Sequence, residues 1–429
     1  MLGNLSATAA APGANRVASI PDSHRQQASP TRYLTMQLNP FVCNTEFPPV
    51  PEAASWIEGR QFSDKKPLID VSQAVPGYAT ATAIMEHMAS ILTQPSTGSY
   101  GPVLGLPALR DAYAENISTG TMAPVEADNV AITAGCNQAF YVAIAALCEA
   151  GDEVILPSPW YFNHKMSLDM LGIKAVPLPC LAADQLLPDA ERAASLISRK
   201  TKAVVLISPN NPTGQIYPPE TIEALYRLCQ SKGIALIIDE TYRDFREQPD
   251  LAPHPIFNDP DWPGTAIHLY SFSKAYALAG YRVGALVASA EFNVQVTKVL
   301  DCVSICAAQI SQQGALFGLQ HASEWKEQKR QLMYLRAKSF QQAMSGSASG
   351  FEICTLGPYF AYVKHPFSNT PARKVARELA EHCNLLALPG EMFGPGQENH
   401  LRFAFANVSS DLMSTIELRL CEHRTSTRQ

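Results

Sequence analysis

The chain has 429 residues, of which 46% are hydrophobic, and it carries a formal net charge of −6 at pH 7. A chain of this length buries a large core and suggests about two or three domains, while its mildly acidic balance, with a pI near 5.9, offers no basic surface to nucleic acid or anionic lipid. No apolar run approaches the roughly 20 residues of a membrane span, so we expect a globular protein with no membrane partner. The charge balance predicts small anionic or zwitterionic ligands and no nucleic acid as partner.

The N-terminal region and the cysteines bear on the compartment. Residues 1–35 begin with a stretch rich in Ala, Ser and Pro, which is typical of a disordered extension; a mitochondrial targeting segment shares this composition and is the alternative. Ten cysteines are scattered from Cys43 to Cys421 without a C-x-x-C pair. This spacing indicates neither a metal site nor a disulfide framework, and it favours a reducing compartment such as the cytoplasm.

The middle of the chain has the pattern of a large α/β domain. Residues 36–70 are rich in proline, and we expect them to form an arm that packs on a smaller domain or on a partner subunit. Short β-rich runs then alternate with helical stretches: NVAIT, DEVILP, KAVPL, KAVVLIS, IALIID, TAIHLY and RVGALVA. Their interiors are apolar at successive positions, as in strands covered on both faces. Residues 71–300 are therefore predicted to form a mostly parallel seven-stranded sheet flanked by helices.

The pattern changes after about residue 300. The charged helical stretch EWKEQKRQLMYLRAKSFQQAM is followed by the strand-like runs FEICTL, YFAYVKH and LRFAFA. Residues 301–429 are accordingly predicted to form a smaller α+β domain.

Polar motifs follow four of the predicted strands: AGCNQAF, SPNNPTG, DETYRDF and SFSK. The carboxyl ends of parallel strands lie at one edge of a sheet, where ligands bind. We therefore expect these motifs, although far apart in sequence, to converge on one site.

Each motif has a functional and a purely structural interpretation. Gly135-Cys136-Asn137 opens an apolar helix whose free N–H groups suit a phosphate, or it is an ordinary glycine turn. Asp239 ends an apolar strand and needs a cation or a protonated ring nitrogen as partner, unless it caps a helix. Asn211 offers an amide at the edge of the sheet, or serves turn formation alone.

The segment SFSKAYALAGYRVG places Lys274 close to two serines and to Arg282. A lysine that forms an imine avoids the cost of burying a charge, and serines with an arginine suit a dianionic phosphate. The structural alternative is a solvated lysine, with Arg282 in a surface ion pair. Gly280 and Gly284 favour close backbone approach around Arg282.

Taken together, these motifs resemble a known family, the fold type I enzymes that depend on pyridoxal 5'-phosphate (PLP), within the class I and II aminotransferases. The resemblance runs from about Leu68 to Asn407 and includes, in the order of that family, SYGPVLGLPALRDAY, AITAGCNQAF, SPNNPTG, IIDETY, SFSKAYALAGYRVG, LPGEMFG and LRFAFA. It implies an aminotransferase that moves an amino group between an L-amino acid and a 2-oxo acid through a Schiff base on Lys274. The alternative is a lyase or cyclase of the same fold, resembling aminocyclopropane-carboxylate synthases or carbon–sulfur lyases, because pocket shape decides which bond breaks.

The resemblance implies three catalytic residues, Lys274, Asp239 and Tyr242. Lys274 would hold PLP and shuttle the substrate proton, and Asp239 would pair with the ring nitrogen. Asn211 and Tyr242 would donate to the phenolic oxygen of the ring, and Asn211 would also lie at the substrate.

Further cofactor contacts are implied around the phosphate and the ring. The phosphate would be bound by the following residues: Gly135, Cys136, Asn137, Ser271, Ser273 and Arg282. Tyr161 would stack on the ring, with Trp160 as the alternative. Tyr100 would reach the phosphate of a neighbouring subunit, which implies a homodimer with shared active sites.

Substrate recognition is implied for Arg402, which would bind the α-carboxylate with two hydrogen bonds. Two positions depart from the family pattern. Ala74 stands where relatives usually have glycine beside that carboxylate. His164 stands where many relatives have tyrosine, and it either faces the substrate or is a buried histidine with satisfied contacts.

Overall fold

The structure is a computed structural model that describes residues 36–119, 125–346 and 348–426. The predicted N-terminal extension, residues 1–35, lies outside the described residues. From Pro40 onward the chain forms one compact unit, and the predicted domain boundaries after residues 70 and 300 remain predictions. Within the described ranges, no helix has both the length and the apolar character needed to cross a membrane.

The strands and helices follow one another along the described residues with short connections. The strands are β1 (Ile69–Asp70), β2 (Val130–Thr133), β3 (Glu153–Ser158), β4 (Lys174–Pro179), β5 (Thr201–Ile207), β6 (Ala235–Asp239), β7 (Ala266–Ser271), β8 (Gly284–Val287), β9 (Glu352–Leu356), β10 (Phe360–Lys364), β11 (Leu385–Leu386), β12 (Leu388–Pro389) and β13 (His400–Ala404). The helices are α1 (Pro40–Asn44), α2 (Pro49–Ser55), α3 (Thr82–Ile91), α4 (Pro107–Ser118), α5 (Cys136–Leu147), α6 (Phe162–Met170), α7 (Ala190–Leu196), α8 (Pro219–Lys232), α9 (Phe272–Ala275), α10 (Ala290–Val303), α11 (Gln309–His321), α12 (Ser323–Met344), α13 (Ala372–Cys383) and α14 (Met413–Ser426).

The central sheet has seven strands in the order β2-β8-β7-β6-β5-β3-β4. Only β8 runs antiparallel to its neighbours, β2 and β7. Successive residues of each strand face two different cores: on β6, Ile238 packs in one core and Ile237 in the other. This arrangement confirms the predicted mostly parallel sheet with helices on both faces.

Local sequence accounts for the ends of the covering helices. For example, α8 has proline at its first position and ends at Gly233, which has a left-handed φ of 64°. Proline suits a first turn, where its missing N–H is no loss, and glycine tolerates positive φ. Helix α10 begins after Ser289, whose hydroxyl accepts the N–H of Phe292 at 3.1 Å, as expected of an N-cap serine.

The C-terminal part forms a four-stranded antiparallel sheet in the order β12-β13-β10-β9, with its own apolar core. The predicted α+β character of this region is thereby confirmed. Strand β1 pairs in parallel with β11, so that Ile69 lies opposite Leu385. Asn384 also binds the segment that precedes β1, because its side chain contacts Arg60 and the carbonyl of Lys66, each at 2.8 Å.

Candidate active site

Lys274 lies in the short helix α9, directly after β7. The hydroxyl of Ser271 accepts the N–H of Ser273 at 3.2 Å and so caps this helix. The Nζ of Lys274 donates to the carbonyl of Ala74, and the hydroxyl of Tyr78 donates to the carbonyl of Lys274 at 3.0 Å. The segment after β1 therefore forms a wall beside the lysine.

The amine of Lys274 is chemically unlike that of a surface lysine. Burial first, and then the positive charges of Arg402 and Arg282, lower its pKa from 10.5 to about 8, although Asp239 acts in the opposite direction. At pH 7 about one tenth of the amine is then neutral. A neutral amine is the nucleophilic and basic form that attachment of a carbonyl cofactor and proton transfer require.

Asp239 is the last residue of β6 and is buried. Its Oδ1 accepts the N–H of Thr241 at 2.9 Å, and its Oδ2 lies 3.5 Å from Nε2 of His164. Burial raises the pKa of Asp239, but the contacts with His164 and Thr241 outweigh burial and hold it below the ordinary value. The carboxylate therefore stays charged and suits a protonated ring nitrogen.

His164 packs on α5 rather than facing an open pocket. Its ring stacks on Phe140 with centroids 3.9 Å apart and planes inclined by 17°, and its side chain is 2% exposed. His164 is therefore buried, as its second interpretation expected, but its Nε2 makes no hydrogen bond among the described residues, so its contacts are not fully satisfied. Its contact with Asp239 was not predicted from the sequence, because that contact depends on how α6 packs against α5.

Arg402 on β13 is 1% exposed. Its Nη1 donates to Oδ1 of Asn211 at 3.0 Å, and its Nη2 donates to the carbonyl of Ser72. Its guanidinium carbon lies 5.3 Å and 5.0 Å from the ring centroids of Phe360 and Phe393. Burial lowers the pKa of Arg402 to about 10, so it remains a cation at neutral pH, and its Nε has no hydrogen-bond partner among the described residues.

Tyr242 lies between Lys274 and an aromatic cluster. Its ring centroid is 5.0 Å from that of Tyr359 and 5.2 Å from that of Phe360, while the ammonium of Lys274 is 5.9 Å away. Burial raises the pKa of Tyr242 well above its ordinary value. Its hydroxyl therefore stays protonated and can donate a hydrogen bond.

Two glycines create a tight cradle at the start of α5. Gly135 has a φ of 90°, and a Cβ there would collide with the guanidinium of Arg282. A Cβ at Gly284 would lie 2.7 Å from the carbonyl oxygen of Tyr270 and 2.8 Å from the nitrogen of Cys136. At Gly280 a Cβ would meet no atom within 4 Å, so the predicted close approach is right for Gly284 and wrong for Gly280.

Arg282 is oriented by two backbone carbonyls. Its Nη1 donates to Ala279 at 2.9 Å and its Nη2 donates to Ala134 at 3.3 Å. The guanidinium is solvent-exposed and lies against the backbone that opens α5. A cation beside free N–H groups at a helix N-terminus, with the buried Ser271 and Ser273 nearby in sequence, has the donor set of a dianionic phosphate site.

The side chains of Tyr161 and Trp160 lie in different environments. The hydroxyl of Tyr161 donates to Oδ1 of Asn137 at 3.5 Å, and its ring lies edge-on to His164 at 5.2 Å. Trp160 instead packs against the backbone at Gly394, where a Cβ would be 3.0 Å from Cε2 of the indole. Of the two aromatics, Tyr161 is therefore the neighbour of Asp239 and the phosphate cradle.

Tyr100 is the predicted site residue that the single chain does not bring to the others. Its side chain is 80% exposed, and the following residue, Gly101, donates its N–H to Sγ of Cys306 at 3.4 Å. Its predicted contact with a neighbouring subunit stays a prediction.

The residues present fit PLP. A buried anionic Asp239 suits the protonated ring nitrogen, the Arg282 cradle suits the phosphate, and the low-pKa amine of Lys274 suits the aldehyde. Three residues that were not predicted from the sequence complete this arrangement: Ser72 through its carbonyl, Thr241 through its N–H and Tyr78 through its hydroxyl.

Comparison with known proteins shows which family the chain belongs to. Residues 66–416 match the family described as Aminotransferase class I and II. The aromatic aminotransferase ISS1 of Arabidopsis thaliana is 28% identical over 358 residues, which cover 82% of this chain and 88% of that protein. The arginine–pyruvate transaminase AruH of Pseudomonas aeruginosa is 28% identical over 328 residues, which cover 76% of this chain and 82% of that protein.

Comparison with solved structures leads to the same family. Aspartate aminotransferase from Thermus thermophilus with maleate superposes with a TM-score of 0.81 at 25% identity, covering 91% of this chain and 100% of its own. The family match spans most of the chain and contains all the site residues predicted from the sequence. The chain is thus a PLP-dependent aminotransferase and belongs to the aminotransferase class I and II family.

Proposed function

We propose that this enzyme transfers an amino group between an L-amino acid and a 2-oxo acid, with Lys274, Asp239 and Arg402 as its principal side chains. PLP, when bound, supplies an electron sink for the bond that is broken at the substrate α-carbon. The protein then has three tasks, which are to hold the substrate, to move one proton and to keep the cofactor ring protonated.

Arg402 is proposed to hold the substrate α-carboxylate. Its buried guanidinium offers a planar pair of donors, for which a carboxylate competes with the carbonyl of Ser72. Because Asn211 fixes Nη1 from one side, the bound carboxylate is oriented as well as neutralised.

Lys274 is proposed to accept the proton from the α-carbon and to return it on the cofactor side. A pKa of about 8 lies close to neutral pH, where a base accepts and releases a proton most efficiently.

Asp239 keeps the ring nitrogen protonated, and Tyr242 and Asn211 donate to the phenolic oxygen. Transfer would be completed by return of the proton followed by addition of water, which releases the 2-oxo acid and leaves the amino group on the cofactor. Loss of a substrate side-chain group or ring closure would instead define the alternative lyase or cyclase.

The observation that carries this proposal is the convergence of Lys274, Asp239 and Arg402. They are separated by 35 and 128 positions in the sequence, yet the pKa of Lys274 responds to the charges of both other residues. A buried amine between an anion and a cation has no evident structural purpose, and such perturbed groups are typical of active sites.

We further propose a cytoplasmic homodimer in which Tyr100 contributes to the phosphate site of the neighbouring subunit. The exposure of Tyr100 supports the shared site, and Leu92 and Val303 are further exposed apolar side chains, 63% and 53% exposed. None of the cysteines forms a disulfide within the described residues, which supports a reducing compartment.

The decisive experiment combines labelling with a half-reaction screen. Borohydride reduction of the yellow holoenzyme, followed by peptide mapping, is expected to place the label on Lys274; a label on another lysine would contradict the assignment. The enzyme is then mixed with individual amino acids. Pyridoxamine phosphate together with a 2-oxo acid supports transfer, whereas release of ammonia without pyridoxamine phosphate supports the lyase alternative.

A further inference from the structure

Glu240 is a buried acid that the proposed chemistry does not use. It directly follows Asp239, and its side chain is fully buried on the opposite face of the sheet. An ion in such a place is costly unless partners neutralise it and satisfy its hydrogen bonds. The question is what this burial achieves next to the carboxylate of the cofactor site.

Glu240 has partners on three elements. Its Oε2 lies 2.9 Å from Nε2 of His268 on β7, and its Oε1 lies 3.5 Å from Nε2 of His254. Arg243, from its own loop, places Nη1 3.7 Å from Oε2. Burial raises the pKa of Glu240, but His254, His268 and Arg243 outweigh burial and hold it well below its ordinary value. Tyr113 of α4 also faces this group, and the charge of Glu240 adds to the burial that raises the pKa of Tyr113.

The contact with His268 lies across the end of the β6–β7 ladder. The last paired positions of this ladder are Asp239 and Leu269, and the N–H of Glu240 donates to the carbonyl of Leu269 at 2.9 Å. Residue 240 is thus joined to β7 twice, by its backbone and by its carboxylate. The end of a strand otherwise frays. This double attachment therefore restricts the motion of the backbone at the end of β6, which includes Asp239.

We propose that Glu240 is a positioning residue for the cofactor site, since its carboxylate binds His268 and fixes the end of β6 so that Asp239 faces the cofactor. The proposal rests on the proposed role of Asp239 at the ring nitrogen. Two neighbouring acids then have different tasks on the two faces of one sheet. Asp239 contacts the cofactor, and Glu240 holds Asp239 in place.

The test compares two conservative variants, one that changes the length of the side chain at position 240 and one that changes its charge. Glu240→Asp keeps the charge, but its shorter side chain falls short of His268. Glu240→Gln loses the charge but keeps an acceptor oxygen at the same reach. We expect Glu240→Asp to weaken PLP binding to the cofactor-free protein by about tenfold and to alter the visible spectrum of bound PLP and its pH dependence, whereas Glu240→Gln stays within about threefold of the parent protein.

Asp244→Asn is the matched control. Asp244 lies four positions further along the chain and binds Lys326 at 2.7 Å and the hydroxyl of Tyr270 at 2.6 Å. Like Glu240→Gln, this variant removes a carboxylate charge, here from a side chain that is 11% exposed and lies away from the end of β6. We expect PLP affinity within about threefold of the parent. An equal loss in Asp244→Asn would show general destabilisation and overturn the positioning role.

The remaining outcomes are also decisive. Normal affinity and spectrum in Glu240→Asp, or an equal loss in Glu240→Gln, would overturn the proposal. Asp239→Asn serves as the reference for the proposed function: if it binds PLP with normal affinity and spectrum, the role of Asp239 fails. If Asp239→Asn is impaired while Glu240→Asp is normal, only the positioning role fails.

Discussion

Lys274 is partly buried and Arg402 is fully buried in the same site. After burial, the charge of Arg402 is the next cause that lowers the pKa of Lys274. Repulsion and burial favour the neutral form of Lys274, which is the reactive form of an amine. The guanidinium of Arg402 keeps its charge despite burial, because its ordinary pKa is so high. A site with two lysines or two arginines would not combine a base with a permanent cation.

The pH dependence of cofactor attachment follows from the pKa of Lys274. Only the neutral amine attacks an aldehyde, so the attachment rate should rise with pH through about 8 and then level off. An ordinary lysine would continue to gain reactivity up to about 10.5. The measurement is the rate of the absorbance change when cofactor-free protein is mixed with PLP at a series of pH values.

Arg402→Leu provides the internal check on this interpretation. Since the charge of Arg402 contributes to lowering the pKa of Lys274 after burial, its removal should shift the midpoint upward. An unchanged midpoint in Arg402→Leu, or a midpoint near 10.5 in the parent protein, would contradict the electrostatic account.

Substitution of Arg402 by lysine tests the planar recognition of the carboxylate. A lysine retains the charge but offers no paired donors and cannot reproduce the contacts with both Asn211 and Ser72. We expect KM for the amino acid to rise about 10- to 100-fold in Arg402→Lys, with PLP affinity nearly unchanged. Steady-state kinetics and PLP titration measure these two quantities separately.

Arg419→Lys is the matched control for that variant. Arg419 is also buried, at 3% exposure, and also binds backbone carbonyls, those of Asn384 and Pro67, but it lies on α14 outside the site. Its substitution should lower stability and leave KM within about twofold. An equal rise in KM would mean that Arg402 acts through folding and not through substrate binding.

At the scale of elements, the phosphate site depends on β8 and the start of α5 lying unusually close together. Strand β8 is antiparallel to its neighbours and carries Gly284 at its first position. Its backbone there lies against the carbonyl of Tyr270 and the nitrogen of Cys136. Arg282, two residues earlier, is thereby brought to the N–H groups that open α5.

Gly284→Ala should therefore separate these two elements. The added methyl group would lie 2.7 Å from the carbonyl oxygen of Tyr270, and forced overpacking of this kind costs roughly 1–3 kcal/mol of stability. We expect a lower free energy of unfolding in urea and PLP affinity reduced by about tenfold or more, because the phosphate donors move apart.

Gly280→Ala is the control on the same segment. A methyl group at Gly280 meets no atom within 4 Å, so the free energy of unfolding and PLP affinity should change little, by about 0.5 kcal/mol at most. If both alanine variants behave alike, the close approach at Gly284 does not position the phosphate site.

At the scale of the whole molecule, the secondary-structure elements that could be predicted from the sequence are those with long, regular patterns of apolar residues. The seven strands of the central sheet were predicted because each is a continuous apolar run between turn signals. Strands β1, β11 and β12 were missed, because each has two residues and two residues carry no periodicity. They form only because tertiary packing aligns them.

The same distinction applies within the site. Asp239 was predicted because it ends a buried strand, and Lys274 because it follows one within three residues; a charged residue is conspicuous in either place. Ser72 was missed because it contributes a backbone carbonyl, which every residue type offers. Glu240 was not singled out within the motif DETYRDF, because its burial depends on His254 and His268, which approach from other segments.

The predicted homodimer can be tested by mixing two variants that are each impaired in a different part of the site. In Lys274→Ala the catalytic amine is absent, and in Tyr100→Phe the predicted phosphate contact to the neighbouring subunit is lost. If Tyr100 serves the neighbouring site, a hybrid of the two variants contains one intact site, formed by Lys274 of one chain and Tyr100 of the other. If Tyr100 serves its own chain, a hybrid contains no intact site.

Random reassociation makes about half of the dimers hybrids, each with one intact site of two, so activity should recover to about a quarter of the parent value. The measurement is turnover after joint unfolding and refolding of equal amounts of the two variants at limiting PLP, with each variant refolded alone as control. Recovery requires both an interface and a contribution from each subunit, because neither variant alone supplies both groups to one site. Activity no higher than the mean of the two separately refolded variants would contradict a shared active site and leave Tyr100 as an exposed side chain of its own subunit.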